Sequence, residues 1–147
     1  MATRAPTRPL WTASAADAVA LGAYALGAVA LAGEAAVHVQ QYFQLFHDVS
    51  WIGPLFLANA VACVVTIAGL AFAPTRQLAA LAGIVISVAA LGGLVISYGT
   101  GLFGWQEAGF RTAILLILIA EVGAVICLAT GLAARNLLAG DAGLGRA

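Results

Sequence analysis

Glu121 sits in the run AILLILIAEVGAVICL, ten residues past Arg111 and fourteen before Arg135. At a helical rise of about 1.5 Å per residue it lies roughly 15 Å from Arg111, near the middle of a hydrocarbon layer about 30 Å thick. A bare carboxylate at that depth is costly, so it must be protonated, paired or turned to a wet cavity. Any of these makes Glu121 a candidate for proton or ligand handling. Asn59 lies eight residues into another apolar run and enters from the same side at comparable depth, so it is the expected partner of Glu121.

A second polar group lies in the first apolar run. Glu34 and His38 are four residues apart and Gln41 follows three later, so on a helix the three share one face. They form a polar stripe with Glu34 toward the outer leaflet, in which Glu34 and His38 either share a proton or serve as a hydrogen-bonded pair that pins the outer end of the helix. The side chains should turn toward other helices rather than lipid. Glu107 and Arg111 stand in the favourable i, i+4 order for an interfacial ion pair. His38 and His47 invite a metal or haem reading. Nine residues on one helix place them on opposite faces about 13.5 Å apart, and no HExxH spacing is present even with Glu34 or Glu107 added. No metal site is assigned. Tyr24, Thr66, Ser87 and Ser97 read as helix-packing hydroxyls, and no Ser/His/Asp order or phosphate-cradling loop is evident.

The elements that position these groups follow from composition. Charged residues are only 8% of the chain and mean hydropathy is +1.05, and four long apolar segments account for most of it. Such segments satisfy their backbone groups in a bilayer only as helices or closed barrels, and the runs are too long and non-alternating for barrel strands. The expected fold is all-α, a four-transmembrane-helix bundle. Residues 1–13 form an N-terminal tail carrying Arg4, Arg8 and the headgroup-suited Trp11, and a capping box of Ser14 with Asp17 opens the first helix.

The first segment runs from about Ser14 to about Phe46, roughly 48 Å, so its outer end must tilt, break or protrude. Its apolar stretch is longer than a signal-peptide core, so the helix is expected to be retained. The second spans about Trp51 to Phe72, with Pro54 in its first turn, and the third about Gln77 to Tyr98. Gly99 to Gly109 form a glycine-rich loop whose Phe103 and Trp105 suit the membrane interface, and the fourth span covers about Phe110 to Arg135. The membrane domain is thus residues 14–135, followed by a tail of residues 136–147. Arg4, Arg8, Arg76 and Arg135 fall on one side and only Arg111 on the other, which predicts both termini cytoplasmic and the richer polar chemistry extracytoplasmic. A multi-pass protein of a bacterial inner membrane is the expectation.

Composition also excludes. Lysine is absent, so no Schiff-base chemistry with retinal or pyridoxal is available, and six arginines against six acids give no excess for nucleic acid. Cys63 and Cys127 lie in apolar runs without CxxC spacing and read as buried free thiols. No cofactor is called for by any motif.

Four strings carry a resemblance: EAAVHVQQYF (Glu34 to Phe43), IGPLFLANAV (Ile52 to Val61), LFGWQEAGFRTAI (Leu102 to Ile114) and the later Glu121. Over about Glu34 to Leu128 the chain resembles a group of small four-span actinobacterial membrane proteins. The resemblance implies the four-span architecture and singles out His38, Gln41, Asn59, Glu107, Arg111 and Glu121. It brings no substrate, cofactor or catalytic assignment.

Three functions compete on this reading. The first is a proton-linked transporter or channel-like protein using Glu121, and with it Glu34 and His38. Four spans leave little room for a wide conduit, so a pore would more easily form between protomers of a homo-oligomer. The second is a non-catalytic accessory or assembly subunit of a larger membrane complex, for which Gly123, Cys127 and Gly131 offer a small-residue face. An outward-facing enzyme using Glu34, His38 and the Gln106/Glu107 loop ranks last, because no complete catalytic set is visible.

Overall fold

The computed structural model describes residues 15–144, with side chains described through residue 136. The order is α1 (Ala15–Gln41), a π turn (Tyr42–Phe46), α2 (Ile52–Ala71), α3 (Arg76–Gly99) and α4 (Thr112–Leu144). All four helices are long and apolar enough to cross a membrane. The chain is a small multi-pass integral membrane protein built as an all-α four-helix bundle. The 1–13 tail and the Ser14 end of the capping box lie outside the described residues. At the other end α4 continues as helix through Leu144, past the expected boundary at Arg135, although its membrane-competent stretch ends at Asn136.

Each helix packs on its neighbours in sequence, and α4 closes the ring against α1. The α1/α4 face is the most extensive and the α2/α3 face the least. Small residues set this inequality, because they let backbones approach closely. A Cβ on Gly27 would meet the Leu128 side chain at 2.5 Å, and one on Gly131 would meet the Tyr24 ring at 2.6 Å. Gly123, with Ala30 at 3.8 Å, belongs to the same seam. The small-residue face is therefore used inside the chain. The outside is apolar as well, with Val29, Val85, Val95, Ile119 and Ile126 each at least 60% exposed. The bundle is thus apolar without and partly polar within, since Glu34, His38, Thr66, Ser87 and Glu121 are all buried.

The long first segment resolves its excess length by a break rather than a straight protrusion. The α-helix stops at Gln41 and the next turn widens to π. That widening drives Phe46 inward, 3% exposed, against Phe56 and Trp105 at ring-centroid distances of 4.5 and 5.1 Å. The start of α2 comes so close that a Cβ on Gly53 would lie 2.5 Å from the Phe46 carbonyl oxygen, which makes glycine the residue that fits there. Trp51, just before α2, takes the left-handed φ of 66° that reverses the chain.

The α3–α4 loop opens with a two-residue hairpin. Leu102 and Trp105 exchange backbone hydrogen bonds of 2.7 and 2.9 Å around Phe103 and Gly104, both at positive φ. The turn divides its aromatics: Phe103 stays 62% exposed beside Trp51, while Trp105 folds inward onto Phe46. Tyr98 Oη donating to the Gly109 carbonyl at 2.8 Å, and Glu107 N–H donating to the Ser97 carbonyl at 3.0 Å, tie the loop to the end of α3.

Candidate functional site

Glu34, on the inner face of α1, is fully buried at the level where all four helices meet. Its Oε1 accepts from Asn59 Nδ2 of α2 at 3.1 Å, and its Oε2 accepts from Ser87 Oγ of α3 at 2.7 Å. Asn59 Oδ1 in turn accepts from the Cys63 thiol at 3.4 Å. Asn59 therefore binds the carboxylate of α1, and the expected Asn59–Glu121 pair is corrected to Asn59–Glu34. Four neighbouring helices bring their polar residues to one depth, and rotation about each axis decides which of them touch.

Glu121 completes the group from α4. It is 2% exposed, and its Oε2 has no hydrogen-bond partner among the described residues. A carboxylate oxygen of Glu34, a ring nitrogen of His38 and a carboxylate oxygen of Glu121 lie within 4.8 Å of one another. His38 Nδ1 is 3.0 Å from the Glu34 backbone carbonyl, an oxygen that can only accept. The proton is thus on Nδ1, and in the neutral ring Nε2 keeps its lone pair. The ring packs on Phe56 with centroids 4.9 Å apart. Three donor atoms so placed are near enough to enclose a proton or another cation. His47 is elsewhere, paired with Asp48 at 2.8 Å on the surface.

The cluster closes one end of a cavity of about 390 Å³. His38, Asn59 and Glu121 form its deep end, Phe46, Phe56 and Trp105 an aromatic side, and Glu107, Arg111 and Gln41 its polar end. Arg111 Nη1 donates to Gln41 Oε1 at 2.9 Å and Nη2 to Glu107 Oε2 at 2.8 Å. Glu107 thus balances the arginine charge, and Gln41 ties the loop to α1. Arg111 precedes α4, whose first residue is Thr112, so the Glu107–Arg111 pair forms in the loop rather than on a helix. A smaller recess lined by Gln40, Gln41, Gln44 and Arg111 adjoins this end.

All seven residues singled out from the sequence (Glu34, His38, Gln41, Asn59, Glu107, Arg111 and Glu121) fall on this cavity or directly behind it. Ser87, read as a packing hydroxyl, is instead a ligand of the central carboxylate. Trp105 and Phe56 were not singled out as walls of a site. For Ser87 a signal existed, since it is the hydroxyl nearest the midpoint of α3. For Trp105 none did, because only the hairpin turns it inward. No protein-family model, curated protein or solved structure matches this chain.

Proposed function

We propose that the protein carries out proton-linked transport of a small ligand across the membrane, with Glu121 as the proton-loading group and Glu34 and His38 as its immediate partners. The observation that supports this reading is the unpartnered Glu121 Oε2, held beside Glu34 and His38 at the deep end of a cavity with a polar mouth. Two carboxyl groups this close in a low-dielectric interior do not both carry charge without a bound cation, so the pair favours holding a proton. Both Glu34 oxygens are occupied by hydrogen bonds from Asn59 and Ser87, whereas Glu121 Oε2 is unpartnered among the described residues, so the proton is assigned to Glu121.

The arginine asymmetry of the sequence supports an outward-facing Arg111 end, so we assign proton entry to the extracytoplasmic side, past Gln41 and Arg111. The Gly123/Cys127/Gly131 face packs inside the bundle, so it gives no support to an accessory-subunit role. Reconstituted vesicles test the proposal. A pH gradient across proteoliposomes should dissipate faster than across protein-free vesicles. Equal rates would overturn it.

A further inference from the structure

The cavity beside Glu121 is much larger than a proton needs, and its walls say what else it takes. Ala58 of α2 and Ala89 of α3 line it while remaining exposed on the outside of the bundle. The cavity therefore opens between the two helices that pack least against each other, toward the side that faces acyl chains. At the far end of the same helix pair the gap is shut, since a Cβ on Gly69 would meet Ala79 at 2.8 Å. The α2/α3 pair is closed at its connecting turn and open beside the cluster. A ligand that enters there comes from the hydrocarbon and must be lipophilic.

Charge decides the rest. Glu121 faces Glu34 and His38 from α1, and behind them stand Asn59 and Cys63 from α2 and Ser87 from α3, hydrogen-bonded to Glu34 or to one another. None of the described arginines reaches them. Arg111 is bound to Glu107 and Gln41 about 15 Å up the helix axis, Arg76 donates to the Leu70 and Ala71 carbonyls, and Arg135 lies about 21 Å further along α4. The deep end is therefore acidic without a fixed counter-charge. An anionic ligand would meet two carboxyl groups, and a neutral one would leave the carboxylate uncompensated when the proton departs. A bare metal ion would use the oxygens and nitrogen and leave the apolar volume idle. An aromatic side made of Phe46, Phe56 and Trp105 suits the face of an organic cation.

We propose that the cavity binds a lipophilic organic cation, entering between α2 and α3, which displaces the proton held at Glu121 and Glu34. This rests on the proton-loading reading of Glu121 and adds the class of its ligand. Cation and proton compete for one negative site, so binding releases a proton to water at the Arg111 end. Below the midpoint of the site the affinity rises with pH, by at most about tenfold per unit for a single proton.

Tetraphenylphosphonium and tetraphenylborate share a shape and differ in sign, which makes them the probes. Binding is measured on the full chain in lipid nanodiscs, with empty nanodiscs subtracted, across a pH series and with proton release followed in weak buffer. The expected result is saturable phosphonium binding that releases about one proton per cation and strengthens with pH, and no saturable borate binding. Glu121→Gln should remove the proton release, and Trp105→Ala should weaken phosphonium binding at least tenfold. Equal binding of the borate, phosphonium binding without proton release, or proton release caused only by zinc would overturn the proposal. If the ligand-free protein still loads and unloads a proton with pH but phosphonium does not bind, the ligand class fails and the proton site stands. If the ligand-free protein shows no such exchange, both fail together.

Discussion

Glu121→Gln is expected to fold and insert like the wild type and to lose the pH-dependent proton movement. Gln has nearly the volume of Glu and offers both a donor and an acceptor beside Glu34 and His38, so the change in stability should stay within about 1 kcal/mol. What it removes is titration, because an amide neither gains nor loses a proton in the working pH range. Proton flux in vesicles should fall to the level of protein-free vesicles, because the positioned proton-transfer group is gone. Glu121→Leu should lose the same flux and little more stability, since the Glu121 Oε2 has no hydrogen-bond partner to strand. Melting of the detergent-purified variants separates the two effects. A Glu121→Gln protein with wild-type flux at every pH would remove the residue on which the transport reading stands.

Glu34→Leu should behave in the opposite way, with its main effect on stability. Leucine strands two donors at once, Asn59 Nδ2 and Ser87 Oγ, at a level where side-chain hydrogen bonds join α1 to both α2 and α3. Each buried unsatisfied group costs about 1–3 kcal/mol, so a loss of about 2–6 kcal/mol is expected. Glu34→Gln keeps an acceptor for one of the two and should cost less than half of that. The order Leu well below Gln in unfolding temperature checks the network, and equal temperatures for the two variants would contradict it. The paired design also separates the roles of the carboxyls, one built into the scaffold and the other left free to titrate.

Helix count and the inward placement of Glu34 and His38 were legible in the sequence because hydropathy acts one residue at a time along the axis, whereas the break of α1 at Gln41 and the run of α4 to Leu144 were not. Depth was legible only in part: counting rises placed Asn59 and Glu121 at one level, and the structure brings Glu34 to the same level. Azimuth was not. Whether Asn59 turns to α1 or to α4 depends on which small residues let which helices approach, and those pairings are long-range. Gly27 and Gly131 draw α1 onto α4, and Asn59 is left facing Glu34. The π turn at Tyr42–Phe46 and the hairpin at Leu102–Trp105 escaped for a related reason. Each bends the chain so that an aromatic points inward, and the hydropathy of Phe46 or Trp105 is the same whether it meets lipid or lines a cavity. The Glu107–Arg111 spacing was read for a helix, yet the ion pair closes in a loop, because Glu107 is held by the Ser97 carbonyl instead of by a helical turn.

The central claim is that Glu121 exchanges a proton with water through the cavity, and the carboxylic-acid C=O stretch reads this directly. Infrared difference spectra of the wild-type protein in lipid, recorded between acidic and alkaline buffer, should show a protonated carboxyl band that disappears as pH rises and that is missing from Glu121→Gln. The account predicts that this band shifts in deuterated water and that Glu107→Gln leaves it in place. A difference spectrum unchanged by Glu121→Gln would contradict the account.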